Sequence, residues 1–286
     1  MKLLWQRMRQ CPQPTLLAVI VGASLGMAGA AMQGYLRNPL AEPGLIGVSA
    51  SAALGAVIAL QTGLAAAFTL ALPLTALGTA LLGVLLLLTL AGPRGASLTL
   101  ILAGIAISAL AGALLSLVLN LSPNPFATSE IVFWMMGSLA DRSMTHVWLA
   151  LPLSVLGWLM LATLGRGLDA LTLGEDAAQA LGIRLTRLRL TLVIATASVV
   201  GAATAVAGAI GFVGLVVPHI LRPLVGARPS RLLFASALGG AVLVLAADIA
   251  VRLILPDRDL KLGVVMALIG APLFLHLIYK TRKEFA

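Results

Sequence analysis

An all-α fold is what the sequence predicts: one polytopic transmembrane bundle over residues 1–286 that crosses a lipid bilayer about nine times. Three observations predict it. Hydrophobic residues make up 60% of the chain and charged residues 10%, so no stretch is polar enough to house a soluble domain. The apolar residues fall into runs of about twenty, the length a helix needs to cross the hydrocarbon core. The basic residues sit between those runs with Pro and Gly, as in "RNPLAEP", "GPRG" and "GARPSR". That placement also gives the net charge of +9 its meaning. Nucleic-acid binding needs a basic, solvated face beside an ordinary core, and this chain has no such pattern. Cys11 stands alone, which excludes a disulfide framework and a cysteine metal cluster.

The N-terminal "MKLLWQRMR" leads into an apolar run that lasts to about Tyr35. A signal peptide would end sooner, so 15–35 is predicted to be a retained span. The turn "RNPLAEP" follows, shaped on the cytoplasmic side by Asn38, Pro39 and Glu42. Spans are predicted at 44–61 and 64–91, with "QTG" between them, and at 98–120 after "GPRG". The next apolar piece, "IVFWMMGSLADRS", is too short to cross. It predicts an interfacial or re-entrant helix with Trp134 at headgroup level. Spans at 146–165, 189–209, 211–226, 231–250 and 262–280 complete the set, the 211–226 helix being kinked at Pro218. Gly22 and Gly26, Gly201 and Gly208, and Gly239 and Gly240 are placed to let helix backbones approach closely.

Basic residues orient the bundle. With the C-terminal "YKTRKEFA" in the cytoplasm, that side also receives Arg37, Arg94, Arg166, Arg184, Arg187, Arg189, Arg222, Arg228 and Arg231. The opposite side receives Lys2, Arg7, Arg9, Arg142, Arg252, Arg258 and Lys261, so the positive-inside rule favours this arrangement. An odd number of spans leaves the N-terminus outside, against the mild preference of its own basic residues.

The densest charge lies mid-chain, in "LTLGEDAAQALGIRLTRLRL". Thr172 followed by Glu175 is a capping-box pattern, Asp176 adds negative charge to the first turn, and Gly182 is placed to end the helix. Leu173, Ala177, Ala178 and Leu181 are predicted to share one face of a helix of two to three turns, within 171–183 and too short to span. Arg184, Arg187 and Arg189 then anchor the next span at the interface. Two readings stay open: a helical loop against headgroups, or a docking helix for a partner's groove.

Five stretches occur in order from about Thr15 to Tyr279: "GAAMQGYLRNPLAEPGLIGVSASAALG", "VFWMMGSLADRS", "LTLGEDAAQALGI", "AGAIGFVGLVVPHILR" and "LGVVMALIGAPLFLHL". Together they resemble the FecCD family, the permease subunits of ABC importers for iron-siderophores, haem and cobalamin. The resemblance implies a homodimer or paired subunit in the bacterial inner membrane, a cytoplasmic ABC ATPase dimer, and a periplasmic substrate-binding protein. It also implies ten spans, of which this chain matches the second onward. A shortened gene model is the favoured explanation and a natural nine-helix variant the other.

By the same resemblance, Leu173, Gly174, Glu175, Asp176, Ala177, Ala178, Ala180, Leu181 and Gly182 form the coupling helix that inserts into the ATPase. Ser97 and Leu98 match the cytoplasmic gate, with an ordinary helix start capped by Ser97 as the alternative. Arg252, with Arg258 beside it, matches the docking site for acidic residues of the binding protein; pairing of Arg252 with Asp248 four residues earlier is the alternative. The family's basic pair before its second helix is replaced here by Cys11 and Pro14, and its usual proline by Lys261.

The sequence holds no G-x-x-x-x-G-K-[ST] phosphate loop, so ATP and Mg would be bound by the partner ATPase. H-E-x-x-H does not occur, G-x-S-x-G falls at Gly22–Gly26 inside a predicted span rather than on a strand-to-helix elbow, and no catalytic residue, resident cofactor or metal site is predicted. His219 and His276 are read as packing residues rather than ligands. The other function classes are an ion-coupled carrier using Asp248 and a non-transporting scaffold.

Overall fold

The computed structural model describes residues 12–68, 70–92, 97–122, 125–140, 142–254 and 260–284, and among them every regular element is helical. In chain order they are α1 (Pro12–Leu36), a 3₁₀ turn (Pro43–Ile46), α2 (Val48–Gln61), α3 (Leu64–Ala67), α4 (Ala71–Ala91), α5 (Ser97–Asn120), α6 (Pro125–Met135) and α7 (Met144–Thr163). Then follow α8 (Gly165–Leu171), α9 (Glu175–Ala180), α10 (Leu185–Ala207), α11 (Val213–Leu221) running into a 3₁₀ turn (Arg222–Val225), α12 (Pro229–Ile254) and α13 (Leu262–Glu284). Six of these, α1, α4, α5, α7, α10 and α12, are long and apolar enough to cross a bilayer. The other three predicted spans correspond to shorter apolar helices at Val48–Gln61, Val213–Val225 and Leu262–His276.

Burial separates inner from outer helices. In α1 and α10, 78% and 72% of the apolar window is buried inside the protein, against 22% in α5. The inner position of α1 rests on glycine. A Cβ on Gly22 would overlap the carbonyl oxygen of Gly240, and one on Gly26 that of Ser236. The small residues therefore bring α1 and α12 into backbone contact, which supplies dispersion where lipid removes the hydrophobic drive. Gly208 behaves differently from its predicted packing partner Gly201: at φ +74° it terminates α10, against the Trp134 carbonyl.

Two connections fold back among the helices. After α1 ends at Leu36, Asn38 closes a turn by accepting from Leu40 N–H at 2.9 Å. The chain then re-enters the bundle. Gly104 of α5 has room only for the Leu45 carbonyl and Ile46 Cα, and Pro43 packs on Gly214 at the level of Leu25 and Gly29. The predicted 44–61 span is thus a 14-residue helix, short of a full crossing, that starts inside the protein. The second break, 208–212, meets the first where Phe212 N–H donates to Glu42 Oε1 at 2.8 Å. Glu42 accordingly leaves the cytoplasmic turn to which the sequence assigned it. Its carboxylate meets a backbone donor of the broken segment, which fits the rule that irregular backbone at membrane depth is covered by protein.

Other boundaries shift for local reasons. The 64–91 run divides, its first helix stopping at Ala67 and the next starting at Ala71. Pro218 stays within α11 and lacks the N–H that Gly214 O would accept. Buried Gln33 supplies a substitute, donating to Gly214 O at 3.4 Å and Leu215 O at 3.3 Å, while its own oxygen accepts from Arg222 at 2.8 Å. Trp134, expected among headgroups, is 8% exposed and packs into the core.

Candidate functional site

The charged interval 165–189 connects α7 to α10 and is held against the bundle by two sets of contacts. α8 is short and mostly buried; a Cβ on its Gly167 would overlap Leu188 Cδ1, so the start of α10 lies directly on α8. From the same helix Asp169 reaches α12. Its carboxylate accepts from Arg228 Nε at 3.0 Å, from Ser230 N–H at 2.8 Å and from Ser230 Oγ at 2.7 Å. Burial alone would raise the Asp169 pKa; the Ser230 bonds, then the bond and charge of Arg228, outweigh it and hold the carboxyl below its usual value.

α9 itself is one and a half turns, shorter than expected, because Thr172 belongs to the preceding helix. Thr172 keeps helical dihedrals at the end of α8, and its hydroxyl donates back to Asp169 O at 2.7 Å. It is therefore not available to cap α9. Gly174 at φ +106° occupies that position instead, with Glu175 and Asp176 in the first turn where the helix dipole favours them. At the other end Gly182, at φ +84°, donates to Gln179 O at 2.9 Å and Ile183 donates to Ala178 O at 3.0 Å. That is the Schellman pattern the glycine predicted.

The predicted single apolar face is not formed. Ala178 is fully buried against the bundle, whereas Leu173 and Leu181 are 70% and 64% exposed and flank the helix with Glu175 and Asp176. Arg37, Arg166, Arg184, Arg187, Arg228 and Arg231 are exposed as well. Arg189 departs from this set. It is 4% exposed, and its Nη2 donates to the Ala91 carbonyl at the end of α4, 3.0 Å away.

Of the other predicted residues, Leu98 is 63% exposed near the start of α5. Ser97 opens that helix, and its side chain lies outside the described residues, as does Arg258. Arg252 makes the intrahelical pair: Nε and Nη2 reach the two Asp248 oxygens at 2.9 and 3.1 Å. His219 lies on α11 and His276, exposed, on α13. Among the described residues no three His, Cys, Asp or Glu side chains come together as a metal site would require. An open groove of about 440 Å³ between α4, α7 and α10 is lined by residues such as Leu77, Val84, Ile194 and Gly201. With Ser198 as its sole polar side chain, it offers no cluster of ligands for a polar cargo.

Asp169 and Ser230 went unremarked in the sequence, although a single acid in "GRGLDAL" was the available signal. Asp169→Asn is expected to destabilise the protein by about 1–2 kcal/mol, the range for a hydrogen-bonded charge with one partner partly exposed. Because the folded pKa is depressed, this stabilisation is complete above the ordinary carboxylate value of about 4 and is lost as pH falls through the lower folded value. Thermal unfolding in detergent checks it: the gap between wild type and D169N should be equal at about pH 7 and about pH 5.

Comparison with known proteins adds the following. A model of the FecCD transport family matches residues 10–280. The chain is 41% identical over 271 residues to the vitamin B12 import system permease protein BtuC of Salmonella paratyphi A, covering 94% of this chain and 82% of that one. It is 39% identical over 274 residues to the uncharacterized ABC transporter permease protein YvrB of Bacillus subtilis, covering 93% and 76%. A solved ABC transporter described as being of the metal-chelate type, in an inward-facing conformation, superposes with a TM-score of 0.86 at 35% identity, over 94% of this chain and 85% of that one. PsaBC from Streptococcus pneumoniae shares the fold, with a TM-score of 0.63 at 15% identity over 96% and 94%.

Proposed function

Since this chain belongs to the FecCD transport family of multi-pass membrane permeases, we propose that it is the permease of a binding-protein-dependent importer for a bulky metal chelate. The cargo class is cobalamin, haem or a ferric siderophore, and the membrane is the bacterial inner membrane. Two copies line the path, and the arginine-rich end and the C-terminus face the cytoplasm. There a separate ABC ATPase dimer binds ATP and Mg and receives Leu173–Gly182.

The observation that carries this reading is the form of α9: a short helix, clamped at both ends, that presents two leucines and two acids outward. A rigid element tied to two spans passes on a displacement that a loose loop would absorb. Closure of the ATPase dimer around ATP then pushes α9 together with α8 and α10, and access changes from the outer to the cytoplasmic side near Leu98. Hydrolysis resets it. On the outer side Arg252, with Arg258, meets acidic residues of the binding protein; the Arg252 side chain remains 42% exposed while paired with Asp248. That pair also weighs against an ion-coupled carrier, because Asp248 already has its counter-charge.

The test is reconstitution of the chain with an ABC ATPase and a binding protein in liposomes, followed by uptake of labelled cobalamin, haem and a ferric siderophore. ATP-dependent accumulation of one of them is expected. Uptake that follows a proton gradient with no ATPase present would overturn the proposal.

A further inference from the structure

We infer that Arg189 is a positioning residue for transport: a buried strut that carries movement of the α9 end onto the end of α4. The inference rests on the function proposed above and concerns how the stroke travels. A guanidinium at 4% exposure is costly unless partnered, and here one of its N–H groups is given to the Ala91 carbonyl. Ala91 is the last residue of α4. Its carbonyl is among the four that no intrahelical N–H can reach, at the negative end of the helix dipole. Arg189 therefore caps α4 from another helix, and the bond is both charge-assisted and shielded from water.

The route back to α9 is short and stiff. Ala178 of α9 is bonded through its carbonyl to Ile183 N–H, and Leu188 N–H donates to Arg184 O at 3.0 Å as α10 begins. Leu188 rests on Gly167 of α8, so the residue next to Arg189 is fixed as well. A displacement of α9 consequently moves the first turns of α10 as one piece, and the Arg189 head group with them. The end of α4 has to follow or lose its cap. Arg187 of α10 and Arg184 just before it are both exposed and have no such reach into the bundle.

The experiment uses the complete complex, permease with ATPase and binding protein, in liposomes, with R189M and R189K. Wild type sets the scale of uptake per ATP hydrolysed. For R189M, ATPase association and ATP hydrolysis are expected to stay near wild type while uptake falls at least about tenfold, the smaller end of a lost charged hydrogen bond. A spin label at Leu98 should lose its response to ATP and vanadate in the same variant. R189K keeps a charge and one donor and is expected to recover part of the coupling; it also serves if R189M does not assemble. Uptake and hydrolysis that fall in step, or an R189M or R189K complex that couples like wild type, would overturn the strut. A wild-type chain that binds no ATPase would overturn the proposed function itself, a result distinct from either.

Discussion

Replacing both Leu173 and Leu181 with aspartate is expected to abolish ATP-driven uptake while leaving the permease in the membrane at its normal level. Both side chains are mostly exposed, so neither contributes much to the packing that holds the bundle together. Their value arises only when a partner covers them. Burial of one leucine is worth about 1.5–3 kcal/mol, so loss of the two weakens each joint by at least about 3 kcal/mol, more than a hundredfold in affinity. Aspartate adds the cost of drying a charge. Co-purification of the ATPase and uptake in liposomes measure the outcome, with thermal stability of the isolated permease as control. Normal ATPase binding by the double variant would place the joint elsewhere and revive the scaffold reading.

A second large effect is expected at Gly26. A leucine there would drive its Cβ into the Ser236 carbonyl, and backbone on both sides leaves no flexible side chain to give way. The cost should reach about 3 kcal/mol or more, the upper end of overpacking, and monodisperse protein should largely disappear from detergent extracts. Gly78→Ala is the matched control. It lies within α4, with nothing within 4 Å of an added Cβ. Removing a mid-helix glycine there should leave stability unchanged or raise it by up to about 1 kcal/mol. Equal behaviour of the two variants in size-exclusion profiles would refute the close α1–α12 crossing.

Much of this architecture was legible in the sequence because apolar run length and glycine spacing report directly on helices in lipid. Each predicted span is helical, the 64–91 run being shared by α3 and α4, and Gly22 and Gly26 do meet Gly240 and Ser236. Depth was not legible. Hydropathy sees the 44–61 run as a crossing, and cannot register that 37–47 climbs back among the helices before α2 begins. The capping box failed because Thr172 was claimed by the helix before it, a competition that pattern matching within one segment does not see.

Arg189 illustrates a signal present but overlooked. Two residues along a helix turn the side chain by about 200°, so Arg187 and Arg189 cannot share a face. With Arg187 in water, Arg189 had to enter the protein. Asp248 and Arg252, four apart, obeyed the same geometry in the expected way and paired.

Backbone contact between α1 and α12 has a mechanical corollary. Sliding one past the other would press side chains that carry a Cβ onto carbonyls where a glycine now sits, so the two behave as a single spar. Under the transport role proposed above, shape change falls to the least buried spans, α5 and α7, whose apolar windows are 22% and 28% buried, moving against that fixed spar.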